Sequence, residues 1–574
     1  MTDSQSAIPV PGQAEDQLTA KLVWPLLSSF FIGGIFFKLL FWKKAEPMTL
    51  GDLYFYQGLA QAFLARDWVH FWHFHFFPAY PVLMALFHKL TAADLVRSGR
   101  WLNILFDGLS VVPVYLLGKE IFNKRAGIFA GLFWSFCWPY HRLYGDPEPV
   151  YAFFILVALW LVLQSRISRK NYLAAAALCG FAALVKSEAV FFIVLLSLIY
   201  LFRSGERIRS RAAMLAAAAM VYLAFTSPIW IKYYQATGRF NPNPKSKTLF
   251  FIHNATREYQ LFLYGLREDK NGLYTNGQRI YIEGDKGVLK TPVAQFIREN
   301  SNFLINAYFQ NLKLSFGNYQ VVLLISIFPG SFLLVLLYLF RRKREFNFKL
   351  ESWLWVWGVS FNLAVSLFST WQRFYYPYFP VLVLVCGKGL DRMISLSEYG
   401  HQILFPQSPH RAIQTIVKWS FPALFILWFL SSNLYDVTHF KPMQPTANSM
   451  KIKSELAKDY KGMIGRNATI MCRGFPEPFT YFLQLPFWKM VIIPLAEPEE
   501  IIKYAREQKA AFIFIEGEDL GRNPTIEPWL WGEVKDGSLE LIRSVPRELS
   551  NDYYPFALYE FLGSAPNPGV NPPR

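Results

Sequence analysis

Long apolar runs separated by short charged interruptions make up most of the chain between residues 22 and 434. The runs fall at 22–42, 98–118, 126–140, 150–164, 172–186, 188–202, 212–231, 319–340, 352–369, 374–390 and 416–434. A bilayer core of ~30 Å takes ~20 residues of helix to cross. The pattern therefore predicts a polytopic α-helical membrane protein with about eleven transmembrane helices.

The interruptions alternate in charge. One set reads KEIFNKR (119–125), QSRISRKN (164–171), RSGERIRSR (203–211), RRKREFNFK (341–349) and the segment 388–418, with nineteen Lys and Arg between them. The short loops of the other set hold three, Arg142, Lys186 and Arg373. Basic loops stay on the cytoplasmic side of a membrane. This orientation puts the N-terminus inside and, with an odd number of spans, the C-terminus outside. Residues 1–21 read as a polar cytoplasmic leader and 22–434 as the transmembrane domain.

Three longer segments then lie outside: 43–97, 232–318 and 435–574. The first holds GDLYFYQGLAQAFLARD (51–67), an amphipathic helix, followed by the proline-punctuated PAYPVLMALFHKL (78–90). Both read as helices lying on the outer membrane surface. In the tail, ATIMC (468–472), MVIIP (490–494) and AAFIFIEG (510–517) read as buried strands, with a helix over PEEIIKYAREQKA (498–510). That succession predicts a small extracytoplasmic α/β domain.

Composition agrees: 53% of the 574 residues are hydrophobic and only 17% charged. The net charge of +17 sits in the interhelical clusters rather than on one soluble face, which argues against nucleic acid as a partner. Of the four cysteines, Cys137, Cys179 and Cys386 fall in apolar runs and Cys472 stands alone in the tail, so no disulfide framework is expected.

Acidic residues are rare in the helical region, and three stand out. Asp52 follows the first span by about ten residues, and Asp146 and Glu148 sit in LYGDPEPVYAFF between the third and fourth spans. By the orientation above, all three face the same side near the water boundary, where a carboxylate can take a proton from a hydroxyl. Two have a plainer reading: Asp52 could cap the helix that starts at Leu53, and Asp146 the fourth span. Cations suited to a phosphate are Arg373, Lys186 and Arg142, Arg above all because its fork holds two oxygens. Arg373 could equally be an interfacial anchor, and Lys186 could pair with Glu188. His70, His73 and His75 (HFWHFHF) form the histidine cluster, with His73 and His75 as weak candidates for a divalent metal. Asp107, inside the second span, requires a buried partner.

Several short motifs follow one another along the chain: GD with an aromatic-rich helix (Asp52, Tyr54, Tyr56), PAYPVL (78–83), RWLNILFDGLSVVPVYLLGKEIFNKRAG (100–127), PEPVYAFF (147–154), GFAALVKSEAVFF (180–192) and RFYYPYFPVL (373–382). Their order and spacing resemble those of the polyprenyl-phosphate-dependent glycosyltransferases of the C-type (GT-C) membrane fold, which include protein O-mannosyltransferases and aminoarabinose transferases. The resemblance implies an inverting enzyme in a bacterial inner or plasma membrane, serving the cell envelope. It would move a sugar from a polyprenyl-phosphate or -diphosphate carrier to a lipid, glycan or protein acceptor on the outer face. It makes Asp52 the catalytic aspartate of the first loop. The oligosaccharyltransferase branch binds a divalent metal through an acidic pair in the loop where Asp146 and Glu148 stand; the mannosyltransferase branch uses none. Gly51-Asp52 replaces the aspartate-glutamate pair of the mannosyltransferases. Phe76-Phe77 before Pro78 replaces the glutamate-lysine pair of the aminoarabinose transferases, which argues against lipid A as acceptor. Two other classes fit the same helical pattern: a transporter or flippase of a lipid-linked sugar, and a catalytically inactive scaffold of this fold.

Overall fold

The computed structural model describes residues 13–45, 52–73, 76–137, 146–237, 265–268, 272–276, 298, 301–314, 330–339, 348–366, 378–404, 411–439, 444–465, 468–472, 479, 482–520, 523–534, 536–545 and 555–562. Helices dominate. In chain order they are α1 (Gln13–Ala45), α2 (Leu53–Leu64), α3 (Trp68–Phe71), α4 (Ala79–Thr91), α5 (Leu95–Leu109), α6 (Val111–Ile121), α7 (Lys124–Phe136), α8 (Glu148–Leu163), α9 (Arg169–Val185), α10 (Ala189–Arg203) and α11 (Ile208–Thr237). There follow α12 (Ser301–Leu314), α13 (Ser331–Leu339), α14 (Phe348–Ser366), α15 (Phe379–Leu404), α16 (Arg411–His439), α17 (Gln444–Tyr460), α18 (Pro498–Glu507) and α19 (Glu527–Leu530).

Among the described residues three stretches are long and apolar enough to cross a membrane: Leu22–Trp42, Leu95–Ile121 and Ile208–Gln235. The span expected at 98–118 is α5 and α6 together, continuous through Ser110. Of the span expected at 374–390, residues 379–390 belong to the longer α15, while 374–377 lie outside the described residues; the span expected at 416–434 lies within α16. Once a helix is nucleated, each further residue adds a hydrogen bond, so the helix runs on past the end of its apolar stretch. The end of α15's apolar stretch is anchored at Asp391. That carboxylate accepts from Lys388 (2.7 Å) and Asn123 (2.8 Å) and pairs with Arg125 (2.9 Å).

Most of the described helices share a large apolar core. Its close crossings depend on missing side chains: a Cβ on Gly387 of α15 would lie 2.6 Å from the Ala126 carbonyl of α7. The loop helices α2 and α4 bury Leu53, Tyr56, Tyr80 and Met84 against this same core.

Past α17 the chain forms a five-stranded sheet of order β4-β3-β5-β7-β6. Its strands are β3 (Ile470–Cys472), β4 (Met490–Ile492), β5 (Phe512–Glu516), β6 (Leu539–Ser544) and β7 (Phe556–Phe561). β3 is parallel to both β4 and β5, and β7 is antiparallel to β5 and β6. The crossover from β4 to β5 runs through α18. A capping box at Glu497 and Glu500 starts that helix, the signature of a well-specified helix N-terminus. A short hairpin, β1 (Leu266–Glu268) and β2 (Tyr274–Asn276), comes from the 232–318 segment.

Candidate active site

Asp52 stands at the N-cap of α2, and its carbonyl accepts from the amides of Phe55 (3.1 Å) and Tyr56 (3.2 Å). Its carboxylate makes no cap hydrogen bond. Two other aspartates of the same long loop do cap with their side chains: Asp67 accepts from the His70 amide at 3.2 Å and Asp94 from the Arg97 amide at 2.9 Å. The backbone, not the carboxylate, therefore starts α2.

One turn later on the same face stands Tyr56, almost fully buried. Burial pushes its hydroxyl well above the usual phenol range, and the charges of Asp52, Glu148, Asp146 and Glu188 push it further. Four carboxylates from three separate turns thus act on one phenol. Its ring meets Tyr80 edge-on, with centroids 4.9 Å apart. The Tyr80 hydroxyl, raised by burial and then by Asp146, donates to the Gly99 carbonyl (3.1 Å) and to Asn103 Oδ1 (3.2 Å). Asn103 Nδ2 in turn donates to the Asp146 carbonyl at 3.0 Å. Asn103 therefore ties the turn before α8 to the loop helix α4.

Glu148 lies in the first turn of α8 and Lys186 at the C-terminal end of α9. Each charge complements the dipole of its own helix. Because α8 and α9 run antiparallel, those two ends meet. Lys186 Nζ is 2.5 Å from Glu148 Oε1 and 3.8 Å from Glu188 Oε1. Glu148 is 2% exposed, and its other oxygen, Oε2, has no hydrogen-bond partner among the described residues. A buried carboxylate oxygen in that state is poised to accept from a ligand.

The structure thus brings Asp52, Asp146, Glu148, Lys186 and Glu188 together. Arg142, Arg373 and His75 lie outside the described residues. His73 is buried, which drives its pKa down to about 3. Its Nδ1 accepts from the Phe76 amide at 3.2 Å. A neutral ring accepting at Nδ1 carries its proton on Nε2, the reverse of a metal ligand, whose second nitrogen donates. Among the described residues no three His, Cys, Asp or Glu side chains are placed to hold a metal ion.

Tyr56, Tyr80 and Asn103 join this cluster only through the fold: each lies in a short motif quoted above, but none carries a charge that marks it as a site residue in the sequence.

Residues 77–231 match the family model for dolichyl-phosphate-mannose-protein mannosyltransferases. The fold is similar to ArnT from Cupriavidus metallidurans, solved with undecaprenyl phosphate bound: TM-score 0.54 at 13% identity, over 96% of this chain and 100% of that one. It is similar also to the archaeal oligosaccharyltransferase AglB from Archaeoglobus fulgidus, solved with an inhibitory peptide and a dolichol-phosphate: TM-score 0.54, 12% identity, over 86% and 70% of the two chains. The apo form of the A. fulgidus enzyme gives 0.56 at 11% identity, over 92% and 81%. No curated protein matches the chain.

The chain is therefore a membrane protein of the GT-C fold. Within that fold, its residues 77–231 carry the sequence pattern of the dolichyl-phosphate-mannose-protein mannosyltransferase family.

Proposed function

We propose that the protein is an inverting glycosyltransferase that moves a sugar from a polyprenyl-phosphate or -diphosphate carrier to an acceptor on the outer face of the membrane. The observation that carries this reading is the convergence of Asp52, Asp146, Glu148 and Glu188 on Tyr56, with the Asp52 carboxylate not used as a cap. It is supported by the two similar structures solved with polyprenyl phosphates. The outer placement is supported by the separation of charge: the carboxylates gather at one end of α8–α11, and the basic turns lie at the other.

Asp52 takes the proton of the acceptor hydroxyl. The acceptor oxygen attacks the anomeric carbon, the bond from that carbon to the phosphate oxygen breaks, and the carrier phosphate leaves with the electron pair from the opposite face. Glu148 Oε2 accepts a hydroxyl of the bound sugar, and Asn103 and Tyr80 hold the Asp146 turn. Arg142 and Arg373 are the proposed contacts of the leaving phosphate. Lys186, shared between Glu148 and Glu188, first holds those carboxylates in place. Most of the rate gain comes from aligning the two substrates. Transport of a lipid-linked sugar would need charges opening onto a path through the bilayer, whereas the intramembrane pair of Lys38 and Asp107 is sealed, both side chains being 0% exposed.

The test is Asp52→Asn, assayed for transfer from a polyprenyl-phosphate sugar with purified protein. The substitution keeps the shape and removes the basic oxygen, so transfer falls by ~10²–10⁴ while donor binding persists. A variant with parental turnover moves the base away from Asp52. Parent protein that binds donor but never transfers supports the inactive-scaffold reading instead.

A further inference from the structure

Glu148 and Lys186 mark one end of α8 and α9; the turns joining α8 to α9 and α10 to α11 mark the other. Arginines staple both turns from within. Arg203 donates to the carbonyls of Val162 (3.2 Å) and Gln164 (3.1 Å), closing the C-terminus of α8. Arg211 donates to the Leu201 carbonyl (2.7 Å) and the Glu206 carbonyl (2.6 Å), closing that of α10. Arg169 reaches from one turn to the other, with Nε 2.9 Å from Glu206 Oε1 and Nη2 2.9 Å from Ser210 Oγ. Glu206 is the one carboxylate in these two turns, and Arg169 occupies it.

Four cations are left over. Arg166 and Lys170 on the first turn, and Arg207 and Arg209 on the second, are exposed. None forms an ion pair or side-chain hydrogen bond among the described residues. Beside them Phe202 and Ile208 are 70% and 78% exposed, where α10 ends and α11 begins. Large apolar side chains at that exposure on apolar helices face lipid, not water.

We propose that these two turns form a binding site for anionic phospholipid headgroups. The four cations meet phosphodiester oxygens, and Phe202 and Ile208 lie against the acyl chains. Guanidinium forks suit phosphate oxygens, and basic clusters at helix ends draw anionic lipid. The internal staples matter here because they present the cations as a fixed array, which lowers the ordering cost of binding. The site is a helix length from Glu148, about 24 Å for sixteen residues. It therefore stands independently of the glycosyl-transfer reading.

The full chain, purified in detergent, is titrated with phosphatidylglycerol and with phosphatidylcholine, following lipid adducts by native mass spectrometry. The anionic lipid is retained preferentially by the parent, and added salt weakens it. In R166Q/K170Q/R207Q/R209Q its affinity drops on the order of 1,000-fold, from the attraction each of the four basic residues contributes near an anionic lipid, while phosphatidylcholine binding is unchanged. Because losing basic residues can also disturb insertion, the charge-keeping R166K/R207K/R209K variant and the salt titration of the parent serve as independent readouts. Equal retention of the two lipids by the parent, insensitivity to salt, or full retention by the quadruple variant each overturns the proposal. So does a parent that binds inorganic pyrophosphate but not phosphatidylglycerol, since that marks a soluble-anion site.

Discussion

Lys38 and Asp107 carry opposite charges at 2.9 Å between α1 and α5, both fully buried, and Lys38 also donates to the Ser135 carbonyl of α7 at 3.3 Å. Asp107 inside an apolar run calls for a partner, and Lys38 is that partner, contributed by a helix far away in sequence. Removing one member of a buried pair leaves the other charge stranded at a cost of ~3–5 kcal/mol, whereas replacing both by apolar residues of similar volume is close to neutral. Lys38→Met should therefore lower stability strongly, and Lys38→Met with Asp107→Leu should recover most of it, measured by thermal unfolding of purified protein in one detergent. Additive losses in the double variant would show that each residue has a stronger partner elsewhere. The contrast among Asp52, Asp67 and Asp94 belongs to the same scale. Three aspartates of one loop each precede a helix, and only Asp52 withholds its side chain from the cap.

Helix crossings depend on backbone approach, which only small residues permit. On α15, Gly387 faces the Ala126 carbonyl and Gly389 faces the Leu334 backbone of α13, closer than any real Cβ could sit. A methyl at Gly389 must push α13 from α15, and overpacking of this kind costs ~1–3 kcal/mol. Gly389→Ala should lower the unfolding temperature. The control is Gly462→Ala, where a Cβ meets nothing within 4 Å and the change stays within about 0.5 kcal/mol. Equal behaviour of the two variants would mean that α13 yields freely. The crossing matters to function because α15 packs on α7, and α7 leads into the segment before Asp146.

Across the whole molecule, the tail sheet is tied to both long loops of the helical region. Trp488 stacks on His70 of α3, with centroids 4.4 Å apart and planes 13° from parallel. From the other loop, the Tyr274 amide donates to Glu507 Oε2 at 2.7 Å, and Lys503 sits over the Tyr274 ring at 4.6 Å. The tail thereby braces the loop that carries α2, and with it Asp52 and Tyr56. A stacked aromatic pair contributes ~0.5–1.5 kcal/mol, too little to unfold the protein but enough to loosen a loop. Trp488→Ala should raise amide hydrogen exchange in α2 and α3 and leave α8–α11 unchanged. Unaltered exchange in α2 and α3 would show that the tail does not brace that loop.

Element identity was legible locally. The runs at 126–140, 150–164, 172–186 and 188–202 are α7 to α10 within a few residues, and β3, β4, β5 and α18 lie inside the tail segments read as strands and helix, because periodicity and caps act over neighbouring residues. The candidate site was partly legible: buried or interfacial carboxylates are rare enough in an apolar chain that Asp52, Asp146 and Glu148 stood out as candidates. Their convergence was not, since it needs turns at 52, 146–148 and 186–188 to meet, and nothing local encodes that. Nor was the choice of partner for Lys186. Adjacency in the chain favours Glu188, yet the fold puts Glu148 at 2.5 Å and Glu188 at 3.8 Å. The reason is the antiparallel packing of α8 on α9, which sets the N-terminus of one helix beside the C-terminus of the other, so charges distant in sequence meet where both helix dipoles favour them.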